Sequence, residues 1–342
     1  MEAGSNPVVV EVFRGAILES FHRGVVCVVD SVGRILYSKG DVSQLCYPRS
    51  ALKFFQQLPL VESGGFAYFG FSEAELAVMC GSHNGEPAHV EAVKSILNKI
   101  GLNQTDLQCG PQFPSDKQSA NSLILRGEKA QAIHNNCSGK HAGLLALSVF
   151  WNQPAKDYLN PKSKVQQAVK QVCAEMYEYP ESKMSTALDG CSAPIFSMPV
   201  YNQAVAYKNL VNKNLDSNRK NACKQILTAV AANPFMLAGS KRYCTELMQV
   251  FGDKLIGKTG AEGVFNLAIK EEEIGVAIKI DDGKMQPQYF VAQQFLNKSG
   301  LFEPEKLAKL SSYIEAPVLN FNNLQTGVIR VVSDLFDGLD VR

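Results

Sequence analysis

The chain has 342 residues, enough for one large domain or two modest ones, and its 46% hydrophobic against 20% charged residues supply a sizeable core. Its 34 basic and 33 acidic residues leave a formal net charge of +1, so no broad field gathers nucleic acid or an anionic membrane surface. Nine scattered cysteines, with no Cys-x-x-Cys pair, read as reduced thiols of a cytoplasmic protein rather than as a disulfide framework.

Residues 1–7 lack a basic stretch followed by an apolar one, so no signal peptide is expected, and the longest apolar runs are too short to cross a bilayer. Residues 8–13 and 24–29 are β-branched runs bounded by Gly or Asp and predict strands. Residues 33–38, after the turn Asp30-Ser31-Val32, complete an antiparallel hairpin. Over 86–100, Val90, Val93, Ile96, Leu97 and Ile100 fall at helical spacing, and Gly101 can cap the end. The same periodicity runs through 164–176, 199–211, 219–232 and 241–250. Strands return at 264–269 and 274–280 around the turn Lys270-Glu271-Glu272-Glu273; a helix follows near 289–296 and a strand at 327–332. Strands at both ends with helices between predict an α/β (α+β) fold. One antiparallel sheet is built from both chain ends, about 1–49 and 253–342, and a helical lobe of about 50–252 is inserted between them, making a single two-lobed domain.

Ser50-Ala51-Leu52-Lys53 is a Ser-x-x-Lys motif placed to open a helix. Positions i and i+3 share a helix face, so Lys53 can reach the Ser50 hydroxyl. A serine needs a neighbouring base to attack, and a lysine is a base only when desolvation or a second cation strips its proton. Arg49 and Lys258 are candidates for that cation. Alone, the motif is equally an exposed helical lysine beside a serine. Two further motifs follow in order: Ser82-His83-Asn84, and Lys258-Thr259-Gly260 just before a predicted strand. Such an ordered set marks serine β-lactamases and penicillin-binding proteins. Two departures, His83 in place of Asp and a short gap from Ser50 to Ser82, argue against penicillin chemistry.

A second polar cluster runs from Asn135 through Cys137, Lys140 and His141, just ahead of an apolar helical run, and a third, Asp189-Gly190-Cys191-Ser192-Ala193-Pro194, has turn character. If Cys137 and Cys191 meet, two thiolates could hold zinc. Spacing alone favours His134 or His141 as the nitrogen ligand over Lys140, and small core cysteines are the plainer alternative.

The residues Pro48-Arg49-Ser50-Ala51-Leu52-Lys53, Cys80-Gly81-Ser82-His83-Asn84-Gly85-Glu86, His134-Asn135-Asn136-Cys137-Ser138-Gly139-Lys140-His141, Asp189-Gly190-Cys191-Ser192-Ala193-Pro194 and Lys258-Thr259-Gly260-Ala261-Glu262-Gly263 together resemble the rhizobial-type, or structural class 3, L-asparaginases. The resemblance extends from about residue 10 to 342. It implies a serine β-lactamase-like fold, a homodimer, and two serine–lysine pairs, Ser50 with Lys53 and Ser82 near Lys258. It also implies a zinc ion held by Cys137, Lys140, Cys191 and water, with Asp189 beside that water and Cys244 close by. Arg49, Asp189, His141 and Cys244 are expected as substrate-binding or supporting residues. The implied reaction is hydrolysis of L-asparagine to L-aspartate and ammonia through an acyl-enzyme. A glutaminase or lactam-opening hydrolase of the same fold, and a non-catalytic zinc- or amino-acid-binding protein, are the competing readings.

Overall fold

The computed structural model describes residues 6–341; residues 1–5, within the stretch read for a signal peptide, and Arg342 lie outside the described residues. The central sheet has eight strands: β1 (Val8–Arg14), β2 (Ile17–Val29), β3 (Ile35–Lys39), β4 (Leu255–Gly260), β5 (Val264–Ile269), β6 (Ile274–Ile280), β7 (Glu315–Leu319) and β8 (Gln325–Val331). Their spatial order is β7-β8-β1-β2-β6-β5-β4, with β3 also on β2, and every neighbouring pair is antiparallel. Val10 stands opposite Val331, so the first and last strands lie side by side. The sheet is therefore assembled from both chain ends.

Strand β2 does two jobs. Its outer half, 17–23, pairs with β1 and is mostly exposed, while its inner half, 24–29, pairs with β6 and is fully buried. Only the inner half was expected, because Glu19, Ser20, His22 and Arg23 break the apolar pattern of the outer half. Successive side chains of a strand face opposite ways. Val25, Cys27 and Val29 accordingly cluster with α6 (Val200–Val211), while Val26 and Val28 join the larger core. The Lys-Thr-Gly segment, expected just ahead of a strand, is itself the end of β4.

Between β3 and β4 runs a helical lobe whose main elements before α6 are α1 (Lys53–Glu62), α2 (Glu73–Met79), α3 (Pro87–Lys99), α4 (Ser138–Phe150) and α5 (Lys164–Met176), and after it α7 (Ser217–Ala232) and α8 (Tyr243–Phe251). A ninth helix, α9 (Met285–Ser299), packs on β5 and β6. Helix α2 starts at a capping box: the Ser72 side chain takes the Glu75 N–H, and the Glu75 carboxylate takes the Ser72 N–H. Helix α1 is buried from Lys53 through Leu60 and packs on α4, α5 and α7. Gly139 lets the start of α4 lie directly on α2, since a Cβ there would overlap the Val78 carbonyl. Gly260 does the same for the end of β4, where a Cβ would overlap the Pro48 carbonyl beside Ser50. Among the described residues no helix is long and apolar enough to cross a membrane, and all nine cysteines are free.

Candidate active site

The site forms where the start of α1, the segment after α2, the start of α4 and the end of β4 converge. Arg49 holds a left-handed φ of 54°, which turns the chain into the short 3-10 turn of Arg49–Leu52. Ser50 lies half-buried in that turn, and Lys53 opens α1 with 1% of its surface exposed. The Lys53 amine donates to the Gly81 carbonyl, to Ser82 Oγ at 3.0 Å and to the Asn136 carbonyl at 3.4 Å. An ammonium has three N–H donors, and all three are used. The expected hydrogen bond from Lys53 to Ser50 is therefore not formed, and Ser50 Oγ has no hydrogen-bond partner among the described residues.

Ser82 is the hydroxyl that the fold surrounds. Its backbone N–H donates to the Leu237 carbonyl at 2.8 Å, which fixes the segment after α2. Its Oγ receives Lys53 on one side and Lys258 Nζ, at 2.9 Å, on the other. Lys258 is 1% exposed. Burial, and then the positive charge of Lys53, pull the Lys258 amine down to about 7. At neutral pH a large share of Lys258 is thus neutral, with a lone pair that can accept the Ser82 proton. The resemblance implies Ser82 near Lys258, and Lys258 Nζ lies 2.9 Å from Ser82 Oγ. Ser82 serving both lysines was not visible, because the contacts join residues 29 and 176 positions apart.

The thiol cluster lies next to this pair. Thr186–Leu188 and Pro194–Phe196 form a small hairpin, with Asp189, Gly190, Cys191 and Ser192 at its tip and Ser192 at a φ of 69°. The tip carries Cys191 to Lys140, whose Nζ donates to Cys191 Sγ at 2.8 Å. The Cys191 thiol hydrogen-bonds Cys137, which drives Cys137 well below the usual thiol range and Cys191 above it. Burial opposes charge on Lys140, but its electrostatic interaction with the Cys191–Cys137 pair and with Asp189 outweighs it and raises the amine. Asp189 Oδ2 lies 3.7 Å from Cys191 Sγ, and its Oδ1 accepts from Arg49 Nε at 2.8 Å. Burial works against ionisation of Asp189, yet Lys140 and Arg49 hold it below the usual carboxylate range. Arg49 also reaches Glu262, with Nη1 3.7 Å from Oε1.

Neither histidine reaches the thiols. His141 Nδ1 pairs with Tyr158 OH at 2.7 Å, and His134 Nδ1 accepts the Gln131 N–H at 3.1 Å. His141 is fully buried with Nε2 unpartnered, and burial, then Lys140, keep it neutral. Two thiols, one amine and a carboxylate in one buried cluster fit a soft divalent metal in kind. No group of three His, Cys, Asp or Glu side chains suited to a metal occurs among the described residues, so the set depends on Lys140 as its third donor.

Cys244, at the start of α8, accepts the Thr259 N–H at 3.3 Å and lies 3.1 Å from its hydroxyl, so it braces the residue next to Lys258. Two supports escaped the sequence reading. Arg242 Nη1 donates to Asn84 Oδ1 at 2.7 Å, and His83 Nε2 lies 3.0 Å from Ser138 Oγ. The first ties the loop before α8, and the second the start of α4, to the Ser82 segment. Asn84, His83 and Ser138 sit inside recognised motifs, but nothing in local spacing says which partner each would find.

The structure resembles solved proteins at low identity. A β-lactamase from Mycobacterium bovis is 12% identical over 85% of this chain and 94% of its own, with a TM-score of 0.39. The D-alanine carboxypeptidase AmpC from Burkholderia cenocepacia is 10% identical over 78% and 90%, also with a TM-score of 0.39. No individual curated protein matches the chain at a significant level. The family model for L-asparaginase II, however, matches residues 10–331, carrying both serines, both lysines and the thiol cluster, and the chain belongs to that family.

Proposed function

We propose that this chain hydrolyses the side-chain amide of L-asparagine, releasing L-aspartate and ammonia through an ester on Ser50. Membership of the L-asparaginase II family makes it an amidohydrolase of the asparaginase type acting on a small molecule. The observation that carries the catalytic reading is Ser82 Oγ held between Lys53 and Lys258, at 3.0 and 2.9 Å, with Lys258 pulled to about 7. That line of groups is a proton path. Neutral Lys258 takes the Ser82 proton, Ser82 takes one from Lys53, and the positive charge moves from Lys53 to Lys258. Lys53 is then a free amine one helical turn from Ser50.

Ser50 attacks the amide carbon and passes its proton to Lys53. The carbon–nitrogen bond breaks, the same path returns the proton to the leaving amine, and ammonia departs. Water then attacks the β-aspartyl ester with Lys53 again as base, the bond to Ser50 Oγ breaks, Lys53 returns the proton to that oxygen, and L-aspartate leaves. Ser50 suits the nucleophile role because its hydroxyl is unengaged and half-buried, whereas Ser82 is 6% exposed and held on both sides. Apo hydrogen bonds at such sites often tighten only with substrate in place. Arg49, with Asp189 and Glu262 beside it, offers charges of both signs for the substrate's α-carboxylate and α-ammonium groups.

Cys137, Lys140 and Cys191 are the residues that would hold zinc, with Asp189 next to them. When bound, the metal supplies a fixed positive charge that orders the pocket around the substrate's charged groups. The chain is further proposed to act in the cytoplasm as a homodimer, as its resemblance implies. Ammonia release from L-asparagine, compared with L-glutamine and with penicillin opening, tests the substrate. Turnover of asparagine supports the reading, and preference for either alternative overturns it.

A further inference from the structure

A cavity of about 190 Å³ lies away from the serine–lysine site, between the end of α6, the outer face of α7 and the start of β4. Its walls are apolar. Cys223, Leu227 and Ala231 follow one another at four-residue spacing on α7, facing Leu210 of α6 and Leu255 and Ile256 of β4. Leu210, Cys223, Leu255 and Ile256 are each at most 5% exposed, so this is core surface opened to a pocket.

Four lysines ring the mouth: Lys213, Lys220, Lys224 and Lys270, with Asp253 the one acidic residue in the lining. The whole chain carries a net charge of +1, so this clustering is local. Lys270 pairs with Asp253 at 2.7 Å, and Lys213 with Glu273 at 3.4 Å. Lys220 donates to the Lys213 carbonyl at 2.7 Å, an uncharged partner. Lys224 has no hydrogen bond or ion pair to any described residue. Two cations at the rim therefore lack a negative partner, directly above an apolar floor.

A ligand that answers both features has an aliphatic body and one anionic end. A bare inorganic anion would meet the lysines and leave the floor wet. A neutral hydrocarbon would cover the floor and leave the lysines unanswered. Lysine stems also lie readily along apolar surface while their heads stay at the water boundary. We infer that this cavity binds a small aliphatic monocarboxylate, with its chain on Leu210, Leu227 and Leu255 and its carboxylate at Lys220 and Lys224. The inference stands apart from amide hydrolysis, because no residue of the cavity belongs to the catalytic site.

Isothermal titration of the full chain with butanoate, hexanoate and octanoate tests it. One saturable site is expected, with affinity rising about fourfold for each methylene added until the floor is filled. Lys224→Glu, at an exposed position, should leave the fold and asparagine turnover unchanged while weakening octanoate severalfold, since attraction becomes repulsion. Octanol should bind far more weakly than octanoate, and phosphate should fail to displace it. Absence of saturable octanoate binding would overturn the inference. So would an affinity that is flat along the series, a Lys224→Glu variant that binds octanoate like the parent, octanol binding as tightly as octanoate, or displacement by phosphate.

Discussion

At Ser82 two buried lysine amines meet one hydroxyl. Lys258 sits at about 7 because it is desolvated and faces the charge of Lys53, so it works as the proton acceptor of the path. The sign follows directly. Below about 7 Lys258 is an ammonium and the path is blocked; above it the amine is free. Turnover should therefore rise as pH passes through about 7 and hold on the alkaline side, read from kcat against pH. A profile peaking near roughly pH 5, where carboxylates titrate, would assign the base to Asp189 or Glu262 instead. Lys258→Arg keeps a positive charge that cannot be shed, so kcat should fall on the order of 10²-fold or more, nearly as far as in Lys258→Ala. An Arg variant with parental kcat would mean that Lys258 contributes charge alone. At this scale the resemblance put Ser82 beside Lys258 but did not show Lys53 turned to the same hydroxyl. Ser50 and Lys53 share a helix face, yet the three acceptors that occupy Lys53 come from residues 81, 82 and 136.

At the scale of elements, regular patterns were legible and interrupted ones were not. Strands β5 and β6 fall on the expected residues because a four-residue charged turn separates two runs that are apolar but for Asn266 and Lys279. Helix α5 does so because Ser163 caps it and its apolar stripe is uninterrupted. Strand β7 was missed: Pro317 lies in its middle, which suits an edge strand but breaks a sequence pattern. The junction of α2 and α4 invites a test. Gly139→Ala would push a methyl into the Val78 carbonyl, and overpacking of this kind costs about 1–3 kcal/mol. Denaturant unfolding should show that loss, and unchanged stability would mean the two helices separate freely. The hairpin tip and the start of α4 carry the proposed metal ligands. Purified protein should hold about one zinc per chain, as three side chains and a water satisfy a tetrahedral ion. Cys137→Ser and Cys191→Ser should each lose it, and affinity should climb with pH because protons on Lys140 and the thiols compete with the metal. Elemental analysis finding fully active, metal-free protein would return the cysteines to a packing role.

For the whole molecule, the sheet from both chain ends and the inserted helical lobe were readable because strand and helix patterns segregate along the chain. Their purpose was not, since it lies in contacts across hundreds of residues. The end of β4 carries Lys258 to the segment after α2, and Gly260 lets that strand end lie against Pro48, next to Ser50. Sheet and lobe thus meet at the serines, and neither half holds the proton path alone. Sedimentation equilibrium should return twice the chain mass, and a monomer at all concentrations would remove the dimer from the proposal. Ser50→Ala should lose turnover by about 10⁴-fold or more while staying folded. The most direct measurement is peptide mass analysis after rapid acid quench of enzyme turning over L-asparagine. The β-aspartyl adduct should sit on the peptide containing Ser50 and vanish in Ser50→Ala. An adduct on Ser82, or hydrolysis with no adduct on either serine, would contradict attack by Ser50.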